Sequence, residues 1–170
     1  EIDGVGIGNG TISSDFIVND NQWYFISAVF DGQNGKSFIY VDGELIDSTN
    51  ATNDINPNNS QDLRIGVYFP EGAPSGPEYF HGKIENTSLW NFALTKEQIL
   101  QYMSCSPNGS EDGLIGYWNF EEGQGEAVID LSANENDGVI NGAATFVADV
   151  PEQSCQLTTV NGCDSIANLN

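Results

Sequence analysis

The chain is punctuated at short intervals by Gly, Asn and Asp, and the apolar runs between these breaks are too short for ordinary helices. Thr11–Val18, Trp23–Phe30, Phe38–Val41, Glu44–Ile46, Leu63–Phe69 and Tyr79–Trp90 predict strands. Trp23–Phe30 is apolar on both faces, which predicts a central strand covered on each side. Asp42-Gly43 stands between two runs and predicts a tight hairpin, because both turn positions need φ > 0. One helix is expected over residues 96–104: Thr95 as N-cap and Gln98 form a capping box, and Leu94 and Ile99 form a hydrophobic staple. Ile99, Leu100 and Met103 then give it a packing stripe. Beyond a turn-rich link, Leu114–Phe120, Ala127–Leu131, Gly138–Asn141 and Ala144–Val147 read as strands again. The expected fold class is all-β, an antiparallel jelly-roll β-sandwich with one short helix.

A length of 170 residues suits one domain with a short extra piece, taken as 1–154 and 155–170. There are 25 acidic residues against four basic ones, a formal charge of −21. That balance excludes nucleic acid and anionic membrane surfaces, whose binding rests on Lys and Arg. No apolar run approaches the ~20 residues of a membrane helix. The chain opens on Glu1 rather than Met and reads as a processed or excised piece. The three cysteines, Cys105, Cys155 and Cys163, have no metal-type spacing, and in a secreted protein two of them would pair.

Several segments carry a family pattern. Gln22–Gly32 resembles "QWxhvAxxyDG", Tyr40–Leu45 resembles "YvDGxl", and Leu63–Gly66 resembles "lxiG". Phe80–Thr95 resembles "FxGxIDEVxIWNxALT", Gly113–Gly123 resembles "GLVGYWNFdEGxG", and Asp130–Gly138 resembles "DxSGNGNxG". Together they resemble the laminin-G-like, concanavalin A-like lectin domains, in the permuted arrangement of Bacteroidota surface proteins. The resemblance implies that residues 113–154 fold back beside the earlier strands. It also implies that the opening "FDGvDDYV" strand of such domains is missing. Cys155–Ala167 is similar to a repeat of the same secreted proteins. The implied function is a non-catalytic carbohydrate-binding or adhesion module, secreted or at the cell surface. Its partners would be glycans or other surface polymers and the neighbouring domains of one parent protein. The alternatives are a structural spacer without ligand and, behind it, a polysaccharide-degrading enzyme.

The enzyme reading needs two carboxylates about 5–5.5 Å apart. Glu1-Ile2-Asp3 supplies no partner further along its strand. His81, the sole histidine, has no second ligand or nucleophile to work with. Asp130, Ser132, Asn134 and Asn136 place oxygen at alternate positions, which suits calcium. The resemblance implies a calcium site completed by Glu85; the other reading is an Asx-rich turn with no ion. Tyr68-Phe69 and Tyr79-Phe80 flank a Pro/Gly-rich loop; their rings either stack on sugars, with Tyr68, Phe69 and Tyr79 as the binding candidates, or anchor the loop to the core. The implied fold-back would bring Cys105 and Cys155 together as a disulfide, restricting the unfolded chain by about 4 kcal/mol in the entropy model. The rival pairing is Cys155 with Cys163.

Overall fold

The computed structural model describes residues 5–7, 10–12, 16–51, 62–68, 76–148 and 150–151. Every ladder among them is antiparallel. The strands β1 (Val5–Ile7) and β2 (Gly10–Ile12) form a hairpin that packs against β3 (Ile26–Asp31), β4 (Lys36–Val41) and β5 (Glu44–Asn50). In the three-stranded sheet β4 lies between β3 and β5. Three two-stranded ladders follow: β6 (Val67–Tyr68) with β7 (Glu78–Tyr79), β8 (Thr87–Trp90) with β9 (Leu114–Trp118), and β10 (Ala127–Val128) with β11 (Gly138–Val139). The helix α1 (Lys96–Ser104) is the one helix among the described residues. The fold class is therefore all-β, antiparallel, with one short helix.

The hairpin of β4 and β5 forms where Asp42-Gly43 predicts it, with φ of 50° and 76° at the two turn residues. Asp42 also ties in the residue before β3: its backbone N–H donates to the Phe25 carbonyl at 2.8 Å. Its Oδ1 accepts from the Phe25 N–H, also at 2.8 Å. The helix then docks on this turn. A Cβ at Gly43 would overlap Leu100, so the close approach needs glycine twice over, for space and for φ. Lys96 Nζ reaches Glu44 at 3.1 Å across the same contact. Both halves of the capping box are present, with Gln98 N–H donating to Thr95 Oγ1 at 3.3 Å and Thr95 N–H to Gln98 Oε1 at 2.8 Å. Ile99 is buried, as the staple requires. Tyr102 brings the helix against Trp90 of β8, their ring centroids 4.7 Å apart.

The core gathers Val29, Ile39, Val41, Ile99, Leu114, Trp118 and Val128. β9 is the most buried strand, with Gly116, Tyr117 and Trp118 all inside. The expectation of a covered central strand at Trp23–Phe30 is corrected. Residues 23–25 are not strand, and Ile26 is 48% exposed. β4 takes the centre instead, because tight turns on both sides of it give it two partners, whereas β3 has β4 alone. The predicted strand at 144–147 is absent, and those at 63–69, 127–131 and 138–141 shrink to two residues each. An apolar run becomes strand only over the length for which a partner supplies its ladder bonds.

Candidate functional site

Asp130, Ser132, Asn134 and Asn136 are brought together on one loop, 130–137, which lies along β9. Asp130 is 5% exposed and carries its charge inside. Its Oδ1 accepts from the backbone N–H of Tyr117 and of Ser132, each at 2.8 Å. Its Oδ2 accepts from Ser132 Oγ at 2.9 Å and from the Asn136 N–H at 2.8 Å. A carboxylate has about four acceptor positions, and protein donors occupy that many here. Burial pushes the Asp130 carboxyl up, but the bonds from Tyr117, Ser132 and Asn136 outweigh it and hold the group below its ordinary 3.8.

The amides of the same loop bond to β9. Asn134 Nδ2 donates to the Leu114 carbonyl at 2.9 Å, and Asn136 Nδ2 to the Ile115 carbonyl at 2.8 Å. Leu131 N–H donates to the Tyr117 carbonyl at 2.7 Å, and Trp118 Nε1 to the Asn136 carbonyl at 3.1 Å. β8 pairs with one edge of β9, and this loop completes the other with side-chain groups and the Leu131 N–H in place of a strand. Glu85, the implied completing ligand, takes part in none of these bonds. It accepts from Asn86 Nδ2 at 3.0 Å and borders a separate cavity of about 290 Å³ with Asn86, Tyr117, Asn119 and Glu121. Burial first, and then the nearby Glu121 charge, raise the Glu85 carboxyl above its ordinary 4.5. The four acceptor positions of the Asp130 carboxylate are taken by N–H and O–H donors, so a calcium ion bound through Asp130 would have to displace them.

The aromatic candidates stand apart from this loop. A cavity of about 450 Å³ is bordered by Ile26, Val67, Tyr68, Tyr79, Phe80 and Ile84. Tyr68, Tyr79 and Phe80 are 62%, 63% and 59% exposed, so these rings do not anchor the loop in the core. The register pairs Val67 with Tyr79 and Tyr68 with Glu78, which sets the two tyrosines on opposite faces of the β6–β7 ribbon. Phe80 N–H donates to the Gly66 carbonyl at 2.9 Å, continuing the ladder and placing Phe80 on the Tyr68 side. Phe80, one of the flanking rings but not one of the three ligand-binding candidates, joins Tyr68 through the strand alternation from Glu78. Glu121 was missing from the sequence-based set, and it becomes a neighbour of Glu85 only through the pairing of β8 with β9. Phe69, Cys155, Glu1 and the segment 155–170 lie outside the described residues. Cys105 caps the helix, its N–H donating to the Gln101 carbonyl at 2.9 Å.

Residues 2–100 match the family model described as the concanavalin A-like lectin/glucanases superfamily, in its laminin-G form. The chain belongs to this superfamily. Among solved structures it is similar to a Bacteroides ovatus protein proposed to be a carbohydrate binding protein, at 28% identity and a TM-score of 0.69. That match covers 85% of this chain and 42% of the other. Among characterised sequences the chain is 26% identical over 132 residues to the sushi, von Willebrand factor type A, EGF and pentraxin domain-containing protein 1 of Rattus norvegicus. The Mus musculus protein matches equally. Each of these matches covers 68% of this chain and 3% of the relative. No helix among the described residues is long and apolar enough to cross a membrane.

Proposed function

We propose that this chain is a non-catalytic carbohydrate-binding module of a secreted, multidomain cell-surface protein, and that it binds glycan at the cavity beside β6 and β7. The observation that carries the reading is the set of exposed rings, Tyr68, Tyr79 and Phe80, around one cavity beside an antiparallel ribbon. Sugar rings present apolar C–H faces, and aromatic side chains with one wet side match them. The Bacteroides ovatus relative supports this choice of ligand, and the small share of the long mammalian relatives supports a place in a larger protein. The test is native electrophoresis through gels containing soluble polysaccharides. At least one polymer is expected to retard the chain, and Tyr68→Ala to weaken that retention by about tenfold with little change in melting temperature. A chain retarded by no polymer, neutral or charged, would instead be a spacer.

Cys105 is proposed to pair with Cys155, which would tie the end of the fold-back segment to the helix. Non-reducing peptide mapping is expected to join these two. A peptide joining Cys155 to Cys163, or one joining Cys105 to Cys163, would refute the pairing.

A further inference from the structure

The rings that border the cavity are not equivalent. Tyr68, Glu78 and Phe80 share one side of the ribbon by register, and Ile84 lies there too. Its Cδ1 is 3.4 Å from where a Cβ on Gly66 would stand. That side joins two exposed rings to one carboxylate. The Phe80 ring is folded over Gly82: a Cβ at Gly82 would stand 2.7 Å from Phe80 Cε1 and 2.8 Å from Cζ. Gly82 does not have the positive φ that would demand glycine, so the missing side chain serves the ring and not the backbone.

Among the described residues, no Lys or Arg borders the cavity. The basic residues nearest in sequence, Arg64 and Lys83, are each already engaged in an interaction. The protein as a whole carries a formal −21. A uronate or sulfated polymer would meet Glu78 and this net charge with no cation to receive it. A neutral sugar meets rings that accept its apolar face and a carboxylate that accepts its hydroxyl protons in charge-assisted bonds. Resting on the reading of this cavity as a glycan site, we infer that it selects neutral glycans, that Tyr68 and Phe80 form the stacking platform, and that Gly82 is the residue that positions Phe80.

The experiment runs wild-type chain, Phe80→Ala and Gly82→Ala through gels containing neutral polymers (a β-glucan, a xylan, a mannan) and anionic ones (alginate, heparin), at low and at high salt. Retention is expected on a neutral polymer and to be unaffected by salt, since no charge pair is involved. Phe80→Ala is expected to weaken it about tenfold. Gly82→Ala is expected to weaken it about threefold with an unchanged melting temperature, because only the far end of the Phe80 side chain must move. Stronger, salt-sensitive retention on alginate or heparin would overturn neutral selectivity and leave glycan binding standing. Retention on no polymer would remove both. Wild-type retention by Gly82→Ala, with Phe80→Ala impaired, would overturn the positioning role.

Discussion

The loop at Asp130 and the ribbon at Tyr68 both carry residues that the sequence marks for ligands, and they are built in opposite senses. Around Asp130 the oxygens and amides are bonded to β9 and complete its edge; around Tyr68 the rings turn outward and border open space. A side chain can be spent on a ligand only if the fold does not already use it. Asp130 has acceptors of the kind calcium wants, and three backbone N–H groups and the Ser132 hydroxyl bond to them. Tyr68 and Phe80 are of the kind that fills cores, and the fold leaves them exposed.

The largest test of this contrast is Asp130→Asn. The amide keeps the shape, but its NH2 would face donors and leave buried N–H groups unpaired, at about 1–3 kcal/mol each. Urea unfolding is expected to show a loss of about 3 kcal/mol; a loss below about 0.5 kcal/mol would mean that the network contributes nothing. The same carboxylate gives a pH signature. Its folded pKa lies below the ordinary 3.8, so its contribution is present above that value and is lost as pH falls through the folded one. Wild-type stability is expected to fall below about pH 4, and the fall to be shallower in Asp130→Asn. The smallest expected effect is calcium's. A cation bound at a hundredfold excess over Kd would add about 2.7 kcal/mol. The melting temperature is expected to be the same in millimolar calcium and in chelator. A rise with calcium that Asp130→Asn abolishes would break the comparison.

What the sequence by itself determined about this chain is local. The capping box at Thr95 and the Asp42-Gly43 hairpin depend on residues within a few positions of one another, and both stand where the sequence predicts them. The all-β class follows from the spacing of the breaks, and the superfamily from motifs that survive in order. The tertiary structure decided which partner each group met. Whether Asp130 faces a cation or the Tyr117 N–H depends on a loop and a strand separated by 13 residues. Whether Trp23–Phe30 is central depends on which strand has two neighbours. Whether Tyr68 shares a face with Tyr79 or with Phe80 depends on register, and a one-residue slip would reverse the answer. Residue type states what a side chain can bond. Long-range pairing decides which of those bonds the fold has already made, and only the unused groups remain for a ligand.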